Sequence, residues 1–317
     1  MMGKRLFIVV PCYNEEEALP HSARVLVELI GEMAAQGRID GESRVTFVDD
    51  GSRDRTWQVI ERLAQEHRCV EGLKLARNRG HQNALWAGMM EVRERCDLLV
   101  SIDADLQDDP QAIRGFIDEF DKGAEVVYGV RQSRDIDTGF KRHTAQGYYR
   151  IMEMMGVPLV YNHADYRLLS RRALDTLAEF GEVNLFLRGM VPLLGFKSAQ
   201  VSYDRGERVA GESKYPLRKM IMLAMEGITS FTVTPIRWIV ALGALFALLS
   251  VLILLYALVS LAVGHTVPGW TSIMVSLWLI GGVQLIALGL IGEYVGKIYM
   301  ESKRRPRYAV EEYLTKE

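Results

Sequence analysis

Two stretches of this sequence carry no charged side chain, Ile239 to Val263 and Thr266 to Gly292. Each exceeds the ~20 residues that a helix needs to cross the hydrocarbon of a bilayer. A core helix of a soluble protein keeps a polar face for water, and two such runs in tandem leave almost none. The sequence therefore predicts a hairpin of two transmembrane helices, at 238–263 and 270–292. The link from Gly264 to Trp270 is short and has no Lys or Arg. Arg218, Lys219 and Arg237 precede the first run, and Lys297, Lys303, Arg304, Arg305 and Arg307 follow the second. The positive-inside rule then places the link outside and both chain ends in the cytoplasm. Trp238, Trp270 and Tyr294 fall near the expected interfaces, where amphipathic rings are favoured.

The residues ahead of this hairpin have a different texture. Between about 5 and 130, short apolar runs alternate with amphipathic segments. Leu6–Val10, Arg44–Val48, Val70–Leu75, Asp97–Ile102 and Glu125–Tyr128 read as strands. Glu15–Ala35, Asp54–Glu66, His81–Arg95 and Pro110–Asp121 read as helices, with Trp57, Ile60, Leu63 and Ala64 forming a helical stripe. This alternation predicts a mostly parallel sheet with helices on both faces. A net charge of −2 gives no support for a nucleic-acid partner. Cys12, Cys69 and Cys96 are far apart and lack C-x-x-C spacing, so reduced thiols on a cytosolic face are expected. The few apolar residues between Arg5 and Pro11 are too short for a secretory signal.

Polar residues gather where the expected strands end. Asp103 and Asp105 follow the fourth strand, with Gln107 two positions on. In an open α/β sheet that edge binds ligands. Two carboxylates at i and i+2 with an amide at i+4 can offer hard oxygens to Mg²⁺ or Mn²⁺, which in turn can hold a diphosphate. An acidic loop capping the helix near Pro110 is the plainer alternative. Tyr13, Asn14 and Glu15 follow the first strand, and Asp49-Asp50-Gly51-Ser52 follows the second. Asp54 with Thr56 can cap the next helix and Gly51 can make the turn. Neither role accounts for the adjacent pair Asp49-Asp50, which repel unless a ligand or metal accepts them. Arg77 to Gln82 forms a basic loop leading into a helix, suited to a phosphate. Arg131 follows the fifth strand. The first turn has no G-x-G-x-x-G, which argues against a dinucleotide cofactor.

Val10-Pro11-Cys12-Tyr13-Asn14-Glu15-Glu16, Val48-Asp49-Asp50-Gly51-Ser52 and Asp103-Ala104-Asp105-Leu106-Gln107 resemble the successive motifs of the inverting family 2 glycosyltransferases. His163 to Arg171, Arg208 to Tyr215 and Gly292 to Gly296 resemble the polyisoprenyl-phosphate branch of that family, with the bactoprenol (undecaprenyl-phosphate) glucosyltransferases the closest likeness. Dolichol-phosphate mannose synthases are related.

The resemblance implies a GT-A (Rossmann-like) α/β fold with a mostly parallel sheet, followed by the two-helix membrane hairpin. It divides the chain into a cytosolic catalytic domain (1–215), an amphipathic juxtamembrane segment (216–235), the hairpin (236–296) and a cytosolic tail (297–317). It implies that Pro11, Tyr13 and Glu15 line the nucleotide pocket, that Asp49 or Asp50 reads uracil, and that Asp103 sits by the ribose and diphosphate. Asp105 and Gln107 would coordinate Mg²⁺ or Mn²⁺. Arg131, Arg208 and Lys214 would meet phosphates, above all that of the lipid. The implied partners are a UDP-sugar donor, undecaprenyl phosphate and the bilayer, in a bacterial inner membrane, and homo-oligomerisation stays open. His81 departs from the small or charged residue expected at its position.

The chemistry so implied needs few groups. A phosphate monoester has a second pKa near ~6, so the acceptor is largely a dianion at neutral pH and needs no general base. Glucose is the first choice of sugar, with N-acetylglucosamine, mannose or 4-amino-arabinose as alternatives. A processive polysaccharide synthase fits less well: Arg237-Trp238 is present, but Thr234 stands where a Q-x-x-R-W motif has Gln. A binding module without turnover is disfavoured by the intact Asp103, Asp105 and Gln107. A flippase is disfavoured because two helices offer no sealed polar path. The helical spacing of Leu217, Met220, Ile221, Ala224, Ile228 and Phe231 suits an interfacial helix or an ordinary packed one. Met152, Met154 and Met155 suit either core filling or contact with an isoprenoid chain.

Overall fold

A computed structural model describes residues 3–131, 163–182, 185–204, 232–263 and 269–315. Arg208, Lys214, the segment 216–231 and the methionines at 152–155 lie outside these residues.

The expected strand–helix alternation is present. Strands β1 (Leu6–Cys12), β2 (Arg44–Asp49), β3 (Val70–Leu75), β4 (Leu98–Ser101) and β5 (Val126–Arg131) alternate with helices α1 (Leu19–Ala35), α2 (Thr56–Glu66), α3 (His81–Val92) and α4 (Ala112–Asp121). There follow β6 (His163–Ser170), α5 (Arg171–Ala178), α6 (Leu187–Leu193) and β7 (Ser198–Tyr203). The two long helices are α7 (Thr234–Ala262) and α8 (Trp270–Ser302), and β8 (Val310–Leu314) ends the described chain.

The sheet order is β7-β5-β6-β4-β1-β2-β3-β8. Strands β3, β2, β1 and β4 run parallel, while β6 pairs antiparallel with both β4 and β5. The chain steps outward from β1 through β2 to β3, then returns to place β4 on the other side of β1. That reversal opens a crevice at the carboxyl ends of β1 and β4, the place where such sheets bind ligands.

Burial on both faces explains the near-continuous apolar strands. Along β1, Leu6, Ile8 and Val10 pack with α1, α2 and α4, while Phe7 and Val9 pack with α3, α5 and α6. Gly88 lets α3 approach closely: a Cβ there would lie 2.4 Å from Val9 Cγ1 and 2.7 Å from Val48 Cγ2.

Helices α7 and α8 have 29 and 33 residues, and both are long and apolar enough to cross a membrane. At ~1.5 Å per residue each outruns the ~30 Å hydrocarbon core. Their leucines, isoleucines and valines are largely exposed among the described residues, Ile253 by 65% and Leu285 by 72%.

The segment after α8, read from the sequence only as a tail, contributes β8, an antiparallel edge strand on β3. Glu71, the second residue of β3, explains the attachment. Its fully buried carboxylate accepts from Arg95 Nη1 and Nη2, both at 2.8 Å, from Tyr313 Oη at 3.2 Å and from Thr315 Oγ1 at 3.3 Å. Arg95 also lies over the rings of Phe7 and Tyr313, 5.1 and 5.4 Å from their centroids. A carboxylate without water is costly unless paired, so β8 belongs to the fold. Glu71→Ala should cost about 2 kcal/mol, below the range for a fully buried pair because Arg95 keeps some water. Hydrogen exchange checks this: the amides of β8 should lose protection before those of β1, and unchanged protection of β8 would count against the account.

Candidate active site

Two loops at the carboxyl edge are stitched together by side-chain caps. After β1, Asn14 takes a left-handed backbone (φ 56°), which its short polar side chain tolerates. Its N–H donates to Ser52 Oγ at 3.0 Å, and its Oδ1 accepts from Arg53 N at 2.9 Å. Glu15 N donates to Thr56 Oγ1 at 2.9 Å, and Glu16 N donates to Asp54 Oδ2 at 3.3 Å. Asp54 also caps α2, accepting from Thr56 N at 3.0 Å. Pro11 is buried in β1, while Tyr13 is 41% exposed on the rim.

The Asp49-Asp50 pair divides into two roles. Asp50 clamps the next loop, accepting from Arg79 N at 2.7 Å and from Gly80 N at 2.8 Å. Gly51 turns the chain at φ 65°, where a Cβ would meet Asn78 N at 2.6 Å. Asp49 Oδ1 accepts from Ser52 N at 3.1 Å, but its Oδ2 is buried with no hydrogen-bond partner among the described residues. Burial pushes both carboxyls above their ordinary value, against the hydrogen bonds that favour the charged form. Asp49 therefore has an acceptor to offer that Asp50 does not.

Beyond β4 the chain is held on both sides. Ile102 N donates to Val9 O at 3.2 Å, and Ser22 Oγ donates to Ala104 O at 2.5 Å. Leu106 sits at φ 44°, uncommon for a side chain of its size. Asp105 Oδ1 accepts from Gln107 N at 3.3 Å. Asp103 and Asp105 are part-open, whereas Gln107 is 6% exposed. Arg131, expected at a phosphate, donates to Asp108 Oδ1 through Nε at 3.1 Å and Nη2 at 2.9 Å. It braces the acidic loop.

Opposite this loop stands a group that sequence reasoning did not assemble. The β4–β6 register, Ser101 against Arg167, places Asp165 across from Asp103 when carried two residues on. Asp165 accepts from Arg167 Nη2, from Arg188 Nε at 3.2 Å and Nη2 at 3.0 Å, and from Gln82 Nε2 at 3.3 Å. His81 Nε2 lies 3.6 Å from Asp103 Oδ1 and 3.8 Å from Asp165 Oδ2. Burial alone would raise the Asp165 pKa, but Arg188, Arg167 and His81 hold it well below the carboxylate range. Asp103 shifts the other way. Loss of solvent pushes its carboxyl up, His81 offsets this, and the charges of Asp165, Asp108 and Asp105 add to the rise. Its side chain is still 43% exposed at the edge. The sequence signal was available: Asp165 and Arg167 stand at i and i+2, opposite charges on one face of a strand that runs on into Leu168 and Leu169. Arg188 had no local signal.

The donor set suits one divalent cation held in part by its substrate. Among the described residues, no three His, Cys, Asp or Glu side chains converge on one point. Mg²⁺-type ions are commonly held by one or two carboxylates, with phosphate and water completing the shell. The crowded carboxylates at Asp103 and Asp105 match that arrangement.

The glycosyl transferase family 2 model matches residues 7–178. A glycosyltransferase of unassigned role from Bacillus subtilis, YkoT, is 50% identical over 96% of this chain and 91% of its own. The bactoprenol glucosyl transferase of Shigella phage SfV is 37% identical over 96% of this chain and 98% of its own. Among solved structures, a glucosyl-3-phosphoglycerate synthase from Mycobacterium tuberculosis is 18% identical, with TM-score 0.45, over 72% of this chain and 77% of that one.

Asp165→Asn should leave Arg167 buried without its counter-charge, at about 3–5 kcal/mol, or roughly 10 °C in Tm. The folded Asp165 carboxyl titrates below its unfolded value of ~3.9. Its stabilisation is therefore complete above that value and lost only as pH falls through the lower folded one. Thermal melts of the two proteins should stay separated by a constant gap from pH 8 to pH 5, and coincident melts would refute the pairing.

Proposed function

The chain belongs to glycosyl transferase family 2, and from that premise we propose that it transfers a sugar, glucose as first choice, from a UDP-sugar to undecaprenyl phosphate. The reaction takes place on the cytoplasmic face of a bacterial inner membrane, with α7 and α8 as the anchor. One observation carries this reading: a sheet edge rich in carboxylates and two membrane-length helices stand in a chain 37% identical to a bactoprenol glucosyl transferase along 96% of its length.

In this reading the nucleotide lies across the ends of β1 and β2. Asp49 Oδ2 accepts from a base N–H, which satisfies its unpartnered oxygen. Asp50 holds the 77–80 loop in place, and Tyr13 offers the base an exposed ring, with Pro11 and Glu15 beside it. Asp103 lies by the ribose and diphosphate. Asp105, with Gln107, would hold Mg²⁺ or Mn²⁺, which when bound neutralises charge on the departing diphosphate.

The acceptor phosphate oxygen attacks the anomeric carbon as the bond from that carbon to the diphosphate oxygen breaks. The electron pair leaves with UDP, and the centre inverts. No proton need move, because the acceptor is already largely a dianion above pH ~6. The protein's task is to align two anions. Arg188, its guanidinium fixed by Asp165 and 41% exposed, faces the same edge and joins Arg208 and Lys214 as a phosphate ligand.

Purified protein with labelled UDP-glucose, Mn²⁺ and undecaprenyl phosphate should move label into the organic phase. Asp105→Ala should lower transfer by at least ~100-fold with an unchanged melting curve, a loss typical of removing transition-state charge stabilisation. Label that stays aqueous with every common nucleotide sugar overturns the transferase reading, and near-normal transfer by the variant overturns the metal role.

A further inference from the structure

Gln284 is the one amide side chain in the two uncharged runs, Ile239 to Val263 and Thr266 to Gly292. It lies well inside α8, between Trp270 and Glu293. At ~1.5 Å per residue, about 21 Å separates it from the first and about 13 Å from the second, beyond the reach of a glutamine side chain. The side chain is exposed and has no hydrogen-bond partner among the described residues. A serine hydroxyl in an apolar helix can bond back to a carbonyl of the preceding turn, but a carboxamide has two donor hydrogens and an acceptor to satisfy. Hydrocarbon offers a partner to none of them.

The side of α8 that holds Gln284 is not the one turned to α7. Val283, Ala287, Leu290 and Tyr294 follow one another at helical spacing and are half-buried. Tyr294 Oη donates to Thr232 O at 2.6 Å, just ahead of α7. Gln284 shares another side with Leu277, Leu288 and Val295, all exposed. Apolar residues cover every side of α8, so their spacing selects no face; the carboxamide does. Gly281 lies one turn from it, and among the described residues no atom comes within 4 Å of where a Cβ would be. A second backbone can approach closely there. The face ends at Tyr299, whose ring is covered by Lys303 Nζ, 4.0 Å from its centroid.

Whatever covers this face must present a donor and an acceptor at one depth in the hydrocarbon. A lipid tail has neither, and a second copy of this chain has both. Every copy carries the same basic residues at the ends of its hairpin and so enters the bilayer in one orientation. A two-fold axis along the membrane normal then sets each residue of α8 opposite its own counterpart at equal depth. A carboxamide is its own complement, since the N–H of each can meet the carbonyl oxygen of the other.

We propose that this face of α8 packs on the same face of a second copy of this chain, with Gln284 paired to Gln284 across a two-fold axis along the membrane normal. The contact rests on the membrane-spanning reading of α7 and α8, but not on the transfer reaction. It sets two catalytic edges on one side of the bilayer.

Cross-linking in vesicles that hold only the purified full chain tests this without turnover. Under air and copper phenanthroline, Leu288→Cys should form a disulfide-linked dimer above the level that wild type gives with its own three thiols. Ile286→Cys, at nearly the same depth on another side of α8, should not. Adding Gln284→Leu to Leu288→Cys should lower the linked fraction in dilute vesicles by about threefold or more, with an unchanged melting curve. Equal linking at positions 286 and 288, or an unchanged fraction after Gln284→Leu, overturns the interface. A chain that inserts but stays monomeric overturns it as well and leaves the membrane reading standing. A chain that alkaline carbonate strips from the vesicles overturns both.

Discussion

The catalytic edge depends on one buried carboxylate. Asp165 joins three elements: its own strand through Arg167, α6 through Arg188, and the start of α3 through Gln82 and His81. Its position follows from antiparallel pairing, because β6 enters the sheet at the end where β4 leaves it. Without it, Arg167 would be a buried cation and Arg188 would lose the fork that aims it. Arg167 in turn donates from Nη1 to Leu187 O at 3.1 Å, and Leu187 N donates to Gln82 Oε1 at 3.1 Å. Most of the polar groups of this cluster are paired, although Arg167 Nε is buried with no hydrogen-bond partner among the described residues.

A second network ties the chain that follows the two long apolar helices to the same edge. Past α8, Ala309 O accepts from Ala76 N at 2.9 Å, at the point where β3 gives way to the 77–80 loop. Tyr308 Oη donates to Glu91 Oε1 at 2.9 Å, and β8 then closes over Glu71. The chain thus returns from the apolar helices to support the loop that Asp50 clamps. The segment after α8 is thereby fastened to the sheet edge rather than left as a free tail.

Much of this was legible in the sequence, for physical reasons that differ by element. The five strands before residue 131 are buried on both faces, so their apolar runs stand out, and β3 spans Val70–Leu75 as expected. Helix α2 carries its stripe at helical spacing and buries Trp57, Ile60, Leu63 and Ala64. Helix α1 begins at Leu19, later than Glu15, because Asn14 to Glu16 are engaged by the β2 loop. Strand β8 was illegible: Val310-Glu311-Glu312-Tyr313-Leu314 is short, acidic and half-exposed, and only its partner Glu71 gives it meaning. The Asp49-Asp50 pair was visible as an anomaly, but the division of labour within it depends on contacts from residues 52, 79 and 80. Arg188 was invisible because its partner lies 23 residues away on another element.

The central claim is that an acceptor phosphate displaces the nucleotide directly at this edge, with no covalent sugar–enzyme stage and no catalytic base. The configuration of the new glycosidic bond reports on that step. Proton and phosphorus NMR of the purified lipid product, made from an α-linked UDP-sugar, should show a β-linked sugar phosphate. An α-linked product would mean two displacements or a front-face route, and would contradict the account.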